Sequence, residues 1–388
     1  MIQYFSADYV IPVTSEPIKN GIVAIEEGKI IGVYKDLDAT IKADVKSFSG
    51  VLIPGFVNTH CHLELSHLMD VIPEKIGLVE FISKVIETRG QEKDRIIKAM
   101  QKADRFMFEN GIQAVGDHAN TNISAEIKSH SNIIYHTFVE IIGMNDDEIL
   151  QKIDEARDIE FFFDANHSSI TLHAPYSCSK SLFKAYKKSV NEDNIISIHN
   201  QESEEENKLF RYRTGAFLNF YEKMGINMDD FKAQARNSIQ SYLNYLPASN
   251  RTILVHNTFT SLKDLDFIAR MGRKVTLCIC PKANLYIEDT LPKVQLFNNH
   301  KFEIALGTDS LASNRTLSIL EELKTLHNAN RDLNFIDTIK WATINGARAL
   351  GLERDVGSLE VGKKPGLVLL KNITNLKLTD EVTVERIV

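Results

Sequence analysis

The sequence predicts an α/β fold: a (β/α)8 barrel with a small β-sandwich formed by the N- and C-terminal segments. Three observations lead there. Eight buried, strand-like runs alternate with longer amphipathic stretches through the middle of the chain. Short β-branched segments punctuated by Gly and Pro flank them at both ends. Six of the eight middle runs end in a histidine or an aspartate.

Residues 1–50 read as strands and turns: IQYFSADYVIPV, a polar break, then GIVAIEEGKIIGVYK folded about a Glu-Glu-Gly-Lys turn. From 356 the texture returns in VGSLEVGKKPGLVLL and ITNLKLTDEVTVERIV, so 1–50 and 356–388 are expected to pair into one composite β-sandwich, with 51–355 as the barrel. The barrel strands are expected in VLIPGFVNTH, IQAVGDH, IIYHTFVEII, SITLHAP, IISIHN, TILVHN, KVTLCICP and EIALGTD, and helices in runs such as LVEFISKVIETRG and LSILEELKTLHNA. At 388 residues and 43% hydrophobic content the chain is long enough to bury such a core.

A formal charge of −7 offers no basic field for gathering phosphates and excludes a nucleic-acid binder that works through backbone charge. The start, MIQYFSADYVIPV, has no basic region followed by a cleavage site, and no stretch approaches the roughly 18 apolar residues needed to span a bilayer. A soluble cytoplasmic protein with a small-molecule substrate is expected, without nucleic-acid or membrane partners; a homodimer is compatible with all of this. The four cysteines are too few for a disulfide scaffold, and Cys178, Cys278 and Cys280 sit in apolar runs as buried reduced thiols.

Strand one ends in His60 and His62, two in His118, four in His173, five in His199, six in His256 and eight in Asp309. Groups from different strands converge at the C-terminal mouth of a barrel, so this distribution describes one site. His60-Cys61-His62 puts two imidazoles on one face of a strand, a spacing that lets both reach one cation. His199 and Asp309 would complete an N3O set suited to one divalent ion, zinc or iron(II), with a place left for water. Asp309 follows a small-residue strand end and can face that water. A helical turn after His199 would bring Glu202 to the same side, within reach of a substrate over the metal. The next three glutamates, Glu204 to Glu206, read as a solvated acidic helix start. His256 is placed to hydrogen-bond the water or the charge developing on it, and His173 to contact substrate. His118, Glu140 and Arg89 lie on the same side as further pocket residues, whereas His67, His136 and His167 read as surface or packing histidines. Strand four lacks a lysine to bridge two metals.

With these residues in place, PGFVNTHCH, LHAPYS, HNQES, LVHN, ICPKANLYI, LGTDS and GSLEVGKKPGLVLL together resemble the amidohydrolase superfamily, in its deaminase and chlorohydrolase branch, over nearly the whole chain. The resemblance implies the barrel and sandwich, with His60, His62, His199 and Asp309 as metal ligands. It also implies that Asp309 takes the proton of water, Glu202 protonates a ring nitrogen, His256 orients the nucleophile and His173 approaches the sugar of a nucleoside-like substrate. HCHLELSHL with HNQESEEE is most similar to the aminofutalosine deaminases of menaquinone biosynthesis, which implies 6-amino-6-deoxyfutalosine as substrate and ammonia as product. Two departures stand out: Ala283 replaces a serine common in the branch, and Pro365-Gly366 replaces Ala-Asp. Other heterocycles fit the same machinery, including adenosine, methylthioadenosine, S-adenosylhomocysteine, guanine and chlorinated triazines. An amide hydrolase and a non-catalytic scaffold fit less well, since no strand-four lysine is present and every ligand is.

Overall fold

A computed structural model describes residues 1–36, 44–229 and 231–388; residues 37–43 of the expected N-terminal β-unit lie outside the described residues. The architecture is α/β, with two four-stranded sheets and one seven-stranded sheet. Strands β1 (Gln3–Val10), β2 (Ile18–Lys19), β3 (Ile22–Glu26), β4 (Lys29–Tyr34) and β5 (Val45–Pro54) come first. Next come β6 (Phe56–Cys61), β7 (Ile112–Ala119), β8 (Ile134–Ile141) and β9 (Ser168–Leu172). A second set follows: β10 (Ile196–Asn200), β11 (Thr252–His256), β12 (Val275–Ile279) and β13 (Glu303–Leu306). The chain closes with β14 (Leu367–Lys371) and β15 (Thr383–Arg386).

The eight middle strands run parallel within their sheets, in the orders β6-β7-β8-β9 and β10-β11-β12-β13. Side-chain alternation explains why they are buried on both faces. On β10, Ile196 and Ile198 enter the apolar cluster shared with the helices, while Ser197 and His199 take the opposite face. The other face is filled by a smaller cluster that includes Val57, Ala114, Phe138, Val255 and Cys278. Backbone hydrogen bonds cross both gaps between the sheets: His199 N to His173 O at 3.0 Å, and Asp309 N to His60 O at 3.1 Å. The helices expected from the two quoted amphipathic runs form at Leu78–Thr88 and Ile319–Ala329.

The terminal segments meet in the seven-stranded sheet, ordered β15-β14-β5-β1-β3-β4 with β2 on β1. Here the run VLIPGFVNTH divides. Its first half completes β5, which pairs parallel to β1 and antiparallel to β14. The chain then turns at Gly55, where a Cβ would stand 2.6 Å from the Pro365 carbonyl oxygen. The expected Glu-Glu-Gly-Lys turn joins β3 and β4, with Glu27 and Gly28 at positive φ. Cys61, Cys178, Cys278 and Cys280 are all buried and free. No described helix is long and apolar enough to cross a membrane.

Candidate metal centre and active site

The strand ends bring His60, His62, His118 and His199 together, with ligand-type atoms all within 4.8 Å of one another. Their hydrogen bonds set apart those with a nitrogen left for an ion from those already committed. His199 donates from Nδ1 to the His173 carbonyl at 2.7 Å, which leaves Nε2 free 3.2 Å from His62 Nε2. Both nitrogens of fully buried His60 lack a hydrogen-bond partner. His118, by contrast, is committed on both sides, with Nδ1 2.9 Å from Glu140 Oε1 and Nε2 2.8 Å from the Ser197 hydroxyl. Asp309 Oδ1 stands 3.6 Å from His60 Nε2 and 3.7 Å from His62 Nε2, while Ser313 donates to Oδ2 at 2.6 Å.

Donors bonded to one ion at about 2.0–2.2 Å stand roughly 3.3–3.6 Å apart in a tetrahedral site. The observed spacings agree. Burying imidazoles this close without partners would leave acceptors unsatisfied, and a cation resolves that cost. Burial, followed by the neighbouring imidazoles His118 and His199, drives the His60 pKa well below its ordinary value, so the ring is neutral with a lone pair available for coordination.

A second constellation faces the first: Glu202, His256 and Asp309 also lie within 4.8 Å of one another. The Asn284 amide nitrogen lies 3.1 Å from His256 Nδ1 and donates to it, so the His256 proton sits on Nε2, 3.5 Å from Glu202 Oε2. Burial holds His256 neutral, its pKa far below the ordinary value. Burial also raises the Glu202 carboxyl well above the carboxylate range, with Asp309, Glu288 and Glu206 adding repulsion. Glu202 is therefore the acid of this cluster most biased towards its protonated form.

The backbone that presents these groups is itself unusual. Gln201, His256, Asn257 and Asp309 adopt φ of 47°, 72°, 57° and 57°, in the left-handed region that non-glycine residues avoid. Such conformations persist where surrounding contacts over-determine them. Gln201 is pinned through Asn207, Asp264 and Thr260, and Asn257 through the Leu254 and Cys278 carbonyls.

Two expectations need correction. The chain after His199 does not enter a helix: the next helix starts at Glu204, and Glu202 reaches the site because Gln201 bends the backbone. Nor is the acidic run all solvated. Glu206 is fully buried, accepts hydrogen bonds from Gln201 N and the Ser238 hydroxyl, and has its pKa pushed up by burial to about 7. His67 packs between the Glu64 and Arg89 carbonyls, and His136 is buried beside Ser169, as packing histidines. His167 bonds Asp164 near the surface.

Glu140 joins the site through His118 and lies 3.7 Å from His199 Nδ1. Burial opposes its charge, but His173, His62, His199 and the Asn120 amide outweigh that and bring its pKa to about 2. His173 is near by, its ring 4.7 Å from that of His199 and its Nδ1 2.7 Å from the Ser177 hydroxyl; burial lowers its pKa to about 4. Sequence reasoning missed Asn284, Ser313 and Asn120. Asn284 follows Ala283 in ICPKANLYI and could have been flagged there; the other two carry no local signal. A cavity of about 710 Å³ lined by His136, Arg157, Arg251 and Lys274 opens at the N-terminal end of the parallel strands, away from all this chemistry.

Parallel strands ending in a buried imidazole and carboxylate cluster define a hydrolase-type metal site at a strand mouth. The chain belongs to the amidohydrolase family, whose model matches residues 51–386. It is 27% identical over 359 residues to an adenosine deaminase of Helicobacter pylori, covering 89% of this chain and 86% of that protein. Among solved structures, it resembles Helicobacter pylori aminofutalosine deaminase in complex with methylthio-coformycin at TM-score 0.82 and 22% identity, covering 97% of this chain and 93% of that one. An adenosine deaminase from Xanthomonas campestris with bound zinc aligns at TM-score 0.73 and 22% identity, over 95% of this chain and 84% of that one.

Proposed function

We propose that this protein is a hydrolytic deaminase that removes an amino group from an adenosine-like nucleoside, using one divalent metal, zinc or iron(II), held by His60, His62, His199 and Asp309. The observation that carries this reading is the approach of buried Glu202 to His256 at 3.5 Å, both grouped with Asp309 beside that cluster. When bound there, the ion supplies the Lewis acidity that makes water a nucleophile near neutral pH. Asp309, its Oδ2 fixed by Ser313, accepts the proton of that water and passes it to the departing amine. Glu202 delivers its own proton to the ring nitrogen beside the reacting carbon, which prevents negative charge from accumulating on the ring. His256 donates from Nε2 to the oxygen that attacks, and Asn284 keeps that tautomer in place. His173 contacts the sugar.

The substrate we favour is 6-amino-6-deoxyfutalosine, on the likeness of HCHLELSHL and HNQESEEE to the aminofutalosine deaminases and on the relatives named above. Menaquinone synthesis in the cytoplasm goes with that substrate. The same reading takes residues 51–355 as a closed (β/α)8 barrel and 1–50 with 356–388 as a terminal sandwich; the hydrogen bonds across both sheet gaps support closure.

The test is ammonia release by metal-loaded protein on 6-amino-6-deoxyfutalosine, adenosine, methylthioadenosine and guanine. Turnover of the first above the others is expected. Turnover of another purine alone would keep the mechanism and change the substrate, and silence across the panel would sink deamination.

A further inference from the structure

Glu322 touches none of the site residues described so far, yet its hydrogen bonds lead to two of them. It stands in the first turn of the helix Ile319–Ala329 and is fully buried. Burial pushes its pKa up to about 8, against the pull of the Lys282 and Asn314 amides. An acid kept in the interior at such a cost needs its hydrogen bonds in place. Both oxygens have them: Oε2 accepts from Lys282 N and Oε1 from Asn314 Nδ2, each at 2.8 Å.

The first bond leads to His256. Lys282 is the second residue of the helix Pro281–Glu288, where the helix itself offers no carbonyl to its N–H. Glu322 fills that role and fixes the first turn of the helix. Asn284, two residues further on, sets the His256 tautomer from its amide nitrogen. The second bond leads to Asp309. Asn314 spends its other amide hydrogen on the Thr308 carbonyl at 2.9 Å. That carbonyl belongs to the peptide joining Thr308 to Asp309, whose N–H is held by the His60 carbonyl at 3.1 Å. A peptide pinned at both its oxygen and its nitrogen sustains the φ of 57° from which the Asp309 side chain departs.

We propose that Glu322 is a positioning residue of the active site: one carboxylate that, through Lys282 and Asn314, holds Asn284 and Asp309 in fixed relation, so that His256 and the metal face the same reacting atom. This rests on the metal-dependent deaminase reading above and adds to it a residue that meets neither ion nor substrate. Glutamate is required over glutamine because both neighbours are donors, and an amide would set its own N–H against one of them.

The experiment compares Glu322→Gln, Asn314→Ala, the double variant and Leu326→Ala, a buried apolar position of the same helix whose truncation loosens it without touching these bonds. On each full-length protein it measures zinc affinity by chelator competition, the visible spectrum of the cobalt(II)-loaded form, the Tm, and kcat and KM on the purine turned over fastest. Glu322→Gln and Asn314→Ala are each expected to lose about ten- to a hundredfold in zinc affinity and to alter the cobalt(II) spectrum. Leu326→Ala should lower the Tm and leave both unchanged. In the double variant zinc affinity should fall no further than in Asn314→Ala, because Glu322 reaches Asp309 through Asn314, whereas kcat should fall further at constant KM through the Lys282 bond. Parental zinc affinity and spectrum in Glu322→Gln would overturn the proposal, and so would losses that Leu326→Ala reproduces at the same Tm. Asn314→Ala keeps Glu322 and its Lys282 bond, so it carries the test if Glu322→Gln does not fold. Ammonia from no purine, with affinity and spectrum changed as expected, would retain the hold on Asp309 while the deaminase reading fails.

Discussion

At the scale of single residues, burial shifts proton affinities away from their values in water. It raises the Glu202 carboxyl well above the usual carboxylate range, and Asp309, Glu288 and Glu206 add repulsion. An acid raised in this way is competent at neutral pH and loses its proton as pH climbs. We therefore expect kcat/KM to fall on the alkaline side as Glu202 ionises, and Glu202→Gln to lose about 10²- to 10⁴-fold in turnover, the usual worth of a positioned proton donor. Steady-state rates across pH 5 to 10 check both. Turnover by Glu202→Gln at the parental rate would remove Glu202 from the mechanism. The identities of these residues were legible from HxH spacing and strand-end positions. Their partners were not: Ser313 reaches Asp309 across one turn of loop, and Asn120 joins Arg89 to Glu140 only because two strands and a helix converge there.

At the scale of elements, β6, which carries His60, and β13, which leads to Asp309, meet without room to spare. A Cβ on Gly307 would stand 2.7 Å from His60 Cβ, 2.9 Å from the His60 carbonyl oxygen and 3.0 Å from Cys280 Sγ. Gly307→Ala must push β13 off β6, and overpacking of this kind costs about 1–3 kcal/mol. We expect that loss in urea unfolding together with reduced metal content, since Asp309 follows Gly307 by two residues and would be carried away from His60 and His62. An alanine variant with parental stability and full metal occupancy would show that the seam is looser than its distances indicate. The strands and their order could be read from hydrophobic runs bounded by helix-like stretches. The break at Gly55 could not, because VLIPGFVNTH is apolar on both sides of it, and partner strands alone decide that its first half joins β5.

At the scale of the whole molecule, metal and fold are expected to be coupled. The proposed ligands come from three strands in two sheets, so an ion bound only by the native arrangement would stabilise it by mass action, about 2.7 kcal/mol at a hundredfold excess over Kd. Chelation should lower the Tm and abolish ammonia release, and one equivalent of zinc or iron(II) should restore both; a requirement for two equivalents would replace the single-ion site. Elsewhere, distant segments are locked by contacts no local pattern announces: Arg386 donates to the Phe108 and Ile112 carbonyls and to Gln113 Oε1, tying the C-terminal strand to the start of β7. The sequence by itself determined the α/β class, most of the helices and strands, and which His, Glu and Asp positions meet at the strand ends. Periodicity and residue chemistry are local properties, and a strand end is visible from its own residues. Only the tertiary structure decided which sheet each terminal segment joined, which histidines kept a free nitrogen, how Glu202 reached the site and how Arg89 met Asn120. Those outcomes depend on which atoms become neighbours after burial, and neighbours hundreds of residues apart leave no trace in each other's local sequence.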